Sequence, residues 1–360
     1  MRTLLYITVS MMLFCFQLNC SRHQYDNDKY DIDRMVYRIG ELNEIFKDPH
    51  IMVDESQIYI WDKFLCKIKI YSKKSLRKLA VFGRKGSGPG EFNIINSAGL
   101  TDDYIYINAF PKVSCFSKNG KMIKETRGNT ISGSFIPIGK NFIGRRDIFF
   151  GPQNKKNKIL YQLFDSNLRK IKDIFETEYK KEVVEVENSR MQVLWFKDCY
   201  NGVVYKDRFY VGSTSRGFFF AVFDSDGNKL YEIKKEYQRV KVTSEFKESL
   251  FNRIRRSNAE GLKKFIVKRE IVFPKYFPAY INFAVGNGRL YVFKYPKYKS
   301  TILEVLILDL KGNLISTSTL PANFWRGIEI NKLYFYNGRL YFLEMSEDGE
   351  TAEIYEVTLS

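Results

Sequence analysis

Histidine is almost absent from this chain. His23 and His50 are the only two in 360 residues, too few for a His-ligated metal centre or a His-dependent triad. Acidic residues are plentiful, yet no Asp-x-Asp-x-Asp-Gly calcium loop occurs, and Asp224-Ser225-Asp226-Gly227 reads as a hairpin turn. Gly86-Ser87-Gly88 is not a phosphate loop, because the Lys-Ser/Thr pair and the helix that should follow are missing. The chemistry that remains is recognition by cations. Arg84 and Lys85 sit in a glycine-rich turn whose backbone amides could join them around an anion. Arg253, Arg255, Arg256 and Lys264 form a second candidate group, interspersed with Lys247, Lys263, Glu245, Glu248 and Glu260. Guanidinium groups donate in a fixed fork that suits carboxylate or sulfate. Lys and Arg number 58 against 41 Asp and Glu, a formal net charge of +17, which favours an acidic partner. No pattern marks a catalytic residue, a cofactor site or a metal site.

These cations need elements to carry them. Phe246, Leu250 and Ile254 recur every four residues, Thr243-Ser244-Glu245 supplies a helix start and Gly261 a stop. The second group of cations is therefore expected on an amphipathic helix. Elsewhere the pattern is β. Aromatic residues make up 16% of the chain, with 24 Tyr and 30 Phe, types that suit a pleated, half-buried surface. Short strand-like runs recur in units of four. The first unit is Ile51–Val53, Gln57–Trp61, Lys67–Tyr71 and Arg77–Phe82; the second is Phe92–Leu100, Asp103–Asn108, Val113–Ser117 and Lys121–Arg127. Three more units follow, over Gly133–Phe175, Gly202–Lys234 and Tyr280–Thr319. Asn287–Tyr291 and Asn337–Tyr341 both read Asn-Gly-Arg-Leu-Tyr, a hairpin turn leading into a strand. The last unit has only Leu333–Tyr336, Arg339–Met345 and Glu353–Thr358, while Arg34–Ile39 is a run without a unit. A closed ring leaves no unpaired edge, so the N-terminal run is expected to complete the last unit.

The stretch Gly83-Arg84-Lys85-Gly86-Ser87-Gly88-Pro89-Gly90-Glu91-Phe92, set between strand-like runs, resembles the NHL-like six-bladed β-propellers of bacterial cell-envelope lipoproteins. The resemblance covers about Met35 to Thr358. It implies an all-β fold: a six-bladed β-propeller of four-stranded blades, with the N-terminal strand closing the last blade and one partly helical insertion. Such propellers include scaffolds, binders and a few lyases, so the fold alone does not choose a function. Two links are long, near residues 176–201 and 235–279, and long links in compact domains are usually functional. They are expected on one face, with the basic helix over the mouth of the central channel.

Residues 1–20 read as a signal peptide of lipoprotein type. Arg2 is its positive start, Leu4–Phe16 its apolar stretch, and Cys20 the residue to be lipidated. Residues 21–33 read as a polar tether and 34–360 as the propeller. Cys66, Cys115 and Cys199 remain; Cys66 is expected on a buried strand, and a Cys66–Cys115 bridge stays open. The functional reading is an exported, lipid-anchored monomer of the cell envelope. It binds an acidic glycan or protein on its loop-rich face and leans away from enzymes. The alternative is a propeller-type lyase or hydrolase acting at the central channel; export disfavours a nucleic-acid partner.

Overall fold

The structure is a computed structural model. It describes residues 36–359 apart from 129–133, 149–155, 181–182, 185–191, 195, 197, 257–269, 296–301, 322–331 and 347–349. The segments expected to be a signal peptide and a tether, with Cys20 and His23, lie outside the described residues, as do Gly261 and Lys264.

Six four-stranded antiparallel sheets form the blades of a β-propeller. From the innermost strand outwards, the first blade is Pro49–Val53, Gln57–Asp62, Lys67–Ser72 and Lys78–Phe82. The second is Ser97–Leu100, Tyr104–Ala109, Lys112–Ser117 and Met122–Arg127. The third is Ser134–Ile138, Asn141–Ile148, Lys156–Phe164 and Lys170–Lys180. The fourth is Gly202–Tyr205, Arg208–Gly212, Phe218–Phe223 and Lys229–Lys235, and the fifth Asn282–Gly286, Arg289–Phe293, Ile302–Asp309 and Leu314–Pro321. The sixth is Tyr334–Tyr336, Arg339–Met345, Thr351–Thr358 and, outermost, the N-terminal strand Val36–Asn43. That strand runs antiparallel to Thr351–Thr358, Val36 opposite Val357 and Asn43 opposite Thr351. The ring is closed as the sequence predicted, with the strand running to Asn43 rather than ending at Ile39.

Apolar side chains fill the wedges between blades. Tyr59, Ile68, Phe92 and Ile107 join the first blade to the second. Phe209, Phe219, Tyr161 and Phe175 join the third to the fourth, and Phe220, Tyr280, Phe283 and Leu290 the fourth to the fifth. Ile51, Ile60, Tyr341 and Ile354 join the sixth back to the first, together with Leu42 from the N-terminal strand. Burial of apolar surface between neighbouring blades is the main favourable term in such a ring.

Turn chemistry fixes the hairpins. Asn287 and Asn337 have φ of 51° and 50°, and each is followed by a glycine with positive φ, the conformation of tight strand-reversing turns. At the outer hairpins one acid organises the tip. Asp309 Oδ1 accepts from the backbone of Lys311 and Asn313, and Asp224 Oδ1 accepts from Asp226 and Asn228. The Asp224 motif is therefore a hairpin turn.

Closure has a polar lock as well. Glu44, just past the N-terminal strand, takes Lys69 Nζ at 2.5 Å, Lys78 Nζ at 2.8 Å and the Tyr71 hydroxyl at 2.9 Å. All three donors belong to the first blade. Burial alone would raise the Glu44 pKa, but these donors overcome it and hold the carboxyl down at about 2. A depressed folded pKa stabilises above the ordinary carboxyl value of 4.5, and that contribution disappears as pH falls through about 2. Wild type is therefore expected to lose unfolding midpoint between those values more steeply than Glu44→Gln. At neutral pH the variant should be weaker by roughly 1.5–3 kcal/mol, the range for hydrogen bonds to a charged group. Parallel pH profiles of the melting midpoint would contradict this role.

Cys66 is buried, but it sits in a turn at φ 56° rather than within a strand. Its amide donates to the Asp62 carbonyl, which shapes the turn before Lys67–Ser72 begins. Cys66, Cys115 and Cys199 are free thiols.

Candidate functional site

Strand alternation sorts the connections onto two faces. In each blade the innermost strand starts on one face, which also carries the second-to-third connections and the links from outermost strand to next blade. The hairpin tips occupy the opposite face. We call the former the link face.

The glycine-rich turn lies on it, between the first and second blades. Arg84–Lys85 pairs in parallel with Glu91–Phe92, so the expected single strand Phe92–Leu100 is broken. Ile95 instead donates its amide to Lys63 and Asn96 to Asn108, and only then does Ser97–Leu100 begin. Glu91 accepts from the Gly88 amide at 2.9 Å and from Arg84 at 2.6 Å, and both hold its carboxyl below the ordinary range. Lys112 Nζ reaches the Gly88 carbonyl at 2.7 Å and Glu125 at 2.9 Å, while Arg127 donates to the Ser87 carbonyl. The turn is thus clamped onto the second blade. Arg84 is exposed with its charge engaged by Glu91, whereas Lys85 is exposed and forms no ion pair with an acidic residue among the described residues.

The second cationic group falls on helix α1, Ser244–Arg256. Thr243 Oγ1 accepts the Phe246 amide at 3.2 Å, a side-chain cap. Leu250 and Ile254 are buried, as their spacing predicted. Arg255 is exposed and donates to Asn252. Arg253 and Arg256 belong to the same helix.

The two long links build one structure. Gln192–Leu194 of the first pairs with Val183–Val184 and, in parallel, with Glu270–Val272 of the second. The second link is pinched at its base, where Phe277 donates to Val240 and Val242 to Lys275. Phe196 of the first link meets Phe246 of α1 at 5.8 Å, Phe277 at 4.8 Å and Tyr295 of the fifth blade at 5.4 Å between ring centroids. This aromatic cluster ties the helix to the two links and to the fifth blade. Such a union has no local signature in sequence, since its parallel partners are remote in the chain.

At the axis lies a cavity of about 410 Å³, lined by the third, fourth, fifth and sixth blades. Arg145, Tyr161, Ser134, Asn201 and Asn282 supply its polar side chains, and among the described residues that line it none is a carboxylate. Asn201 Nδ2 donates to Asn282 Oδ1 at 2.7 Å, and Ser134 meets the Ser97 hydroxyl at 3.2 Å. Arg145 pairs with Asp147 at 2.9 Å and lies over the Tyr200 ring at 4.9 Å. Burial opposes its charge, but Tyr161 and Asp147 more than compensate, so its pKa is raised. Sequence reading missed Arg145. The available signal was alternation, which puts it on the same strand face as Ile143, another lining residue.

His50 stacks on Trp61 at 4.0 Å, and burial lowers its pKa to about 4, leaving it neutral at neutral pH. Beside it Asp48 pairs with Lys332 at 2.8 Å. Among the described residues no group of three or more His, Cys, Asp and Glu is placed to hold a metal. No described helix is long and apolar enough to cross a membrane.

No protein-family model matches the sequence, and no curated protein matches it. Solved structures do resemble the fold. A Bacteroides fragilis protein described as exported matches with a TM-score of 0.53 at 13% identity, covering 93% of this chain and 98% of its own. At that identity the likeness speaks for the propeller fold alone. BamB from Moraxella catarrhalis, at 11% identity over 89% of this chain and 97% of its own, gives a TM-score of 0.30. The Pan2 WD40 domain of Neurospora crassa, at 8% identity over 94% of this chain and 98% of its own, gives 0.38.

Proposed function

We propose that this protein is an extracytoplasmic interaction module, an NHL-like propeller held to a bacterial membrane by lipid on Cys20, which takes an acidic glycan or protein on its link face. One observation carries the reading. The polar end of the axial cavity, the glycine-rich turn with Lys85, and the insertion that bears α1 all belong to the face where the links run. Cations carried on the face that holds a concave opening would add to its field and steer an acidic partner toward that face. The apolar stretch Leu4–Phe16 ahead of Cys20 supports export, and the similar Bacteroides fragilis protein is described as exported. The lyase alternative would need an acid or base at the channel; Tyr161 lines the cavity, but its hydroxyl is committed to the Tyr200 carbonyl.

The test has two arms. Fatty-acid labelling should mark wild type and leave Cys20→Ser unmarked and released from membranes; an unlabelled, released wild type rejects the anchor. An array of acidic glycans, with a pull-down for proteins, should yield a saturable partner whose affinity falls with salt. Replacing Arg253, Arg255 and Arg256 together with Gln should weaken that partner about tenfold or more, with the melting midpoint kept. A folded triple variant that binds as tightly as wild type removes the helix from the site.

A further inference from the structure

We propose that the axial cavity is a binding site for a small carboxylate with an apolar body. This deepens the reading of the link face as an acidic-ligand site and rests on it. The cavity, about 410 Å³, lies within the range of roughly 300–1,000 Å³ typical of small-molecule pockets. Its polar groups gather at one end. Ser134, Asn201 and Asn282 stand at or just before the starts of innermost strands, which is the link end of the channel. Arg145 faces Ser134 across the strand pair, so it shares that level. Further along the same strands the wall is Ile136, Val203, Ala284 and Phe335.

Each polar group is held in position. Asp147 and the Tyr200 ring fix the Arg145 guanidinium, and the Tyr200 carbonyl is itself tied to the Tyr161 hydroxyl at 2.6 Å. Asn282 Oδ1 accepts both Asn201 Nδ2 and the Phe283 amide, which orients the Asn282 side chain with its NH₂ as the remaining donor. A fixed cation and an amide donor lining the same cavity suit one carboxylate. The apolar wall selects the rest of the ligand. A hydroxyl-rich sugar acid would leave hydroxyls unpaired there, which is unfavourable, whereas an aliphatic or aromatic body gains from burial. An acidic glycan therefore stays on the face, and the cavity takes the smaller, amphiphilic anion.

Calorimetric titration of the mature chain tests this with 4-phenylbutyrate, its neutral amide and galacturonate. Wild type should bind 4-phenylbutyrate, and the amide and galacturonate at least tenfold more weakly. Arg145→Gln should weaken 4-phenylbutyrate at least tenfold. Because that change also breaks the Asp147 pair, Ala284→Phe provides a second variant that fills the cavity and leaves Arg145 in place; it should abolish binding. Melting curves establish that both are folded, and if either is not, the three probes on wild type decide alone. Absence of 4-phenylbutyrate binding, equal binding of the amide or of galacturonate, or undiminished binding by folded Ala284→Phe overturns the proposal. The two readings fail separately. Wild type that captures an acidic glycan but no 4-phenylbutyrate loses only the cavity site. Wild type that takes 4-phenylbutyrate but no acidic macromolecule keeps the cavity site and loses the face.

Discussion

A chain lacking residues 36–43 is expected to be recovered unfolded or aggregated, or to melt far below wild type. The deletion removes the outermost strand of the sixth blade and every backbone bond it makes to Thr351–Thr358. It leaves an open edge, which invites pairing with other chains. It also removes Leu42, only 5% exposed, from the wedge between the sixth and first blades, and Val36 from the wedge between the fifth and sixth. Truncating a buried leucine to alanine alone costs about 2–5 kcal/mol, against a total stability of about 5–15 kcal/mol for a typical protein. Removing the strand also detaches Glu44 from its closing position. Deleting Ser21–Asp31, by contrast, should leave the midpoint unchanged. Equal midpoints for wild type and the 36–43 deletion would show that the strand does not close the ring.

Gly83→Ala is expected to be strongly destabilising, because the added methyl meets backbone. Gly83 has φ +80°, and a Cβ there would stand 2.7 Å from the Cys66 carbonyl oxygen and 3.1 Å from Ile68 Cδ1. Left-handed backbone costs an L-residue about 1–2 kcal/mol, and overpacking a well-filled site costs about 1–3 kcal/mol more. A loss of roughly 2–5 kcal/mol should appear in denaturant unfolding. Gly288→Ala is the control: φ is +68°, but nothing lies within 4 Å of the added Cβ. It should cost only the conformational part. Equal losses at the two positions would mean that the crowding at Gly83 relaxes without consequence. On this account the glycine motif shapes a crossing between blades, and its glycines do no chemistry.

The propeller was legible because its signals are local. Asn-Gly at 287–288 and 337–338 takes positive φ at both residues and reverses the strands in tight hairpins. The missing strand of the last unit and the orphan run at the N-terminus stated the closure between them. Boundaries were less legible. Gly40 hides the continuation of the N-terminal strand to Asn43, since the register shifts between Arg38 and Gly40, where a Cβ would meet Leu76. The break inside Phe92–Leu100 depends on carbonyls of Lys63 and Asn108, which no local pattern announces.

The candidate site was less legible still, and for the same reason. Arg84 and Lys85 were visible as cations, but not that Glu91, fixed by the Gly88 amide, would engage Arg84. The α1 stripe was readable from Leu250 and Ile254, whereas the pairing of Gln192–Leu194 with Glu270–Val272 is non-local. Arg145 looked like any polar strand residue until four blades met around it.

The central claim is that the link face holds the ligand. Hydrogen–deuterium exchange of the mature chain, with and without the tightest acidic glycan from the array, tests it most directly. Slowed exchange is predicted at residues 44–48, 84–90, 213–217 and 244–256, with residues 224–228, 287–288, 311–313 and 337–338 on the hairpin-tip face unchanged. Protection confined to the hairpin tips or to the outermost strands, with the link face unaffected, would contradict it.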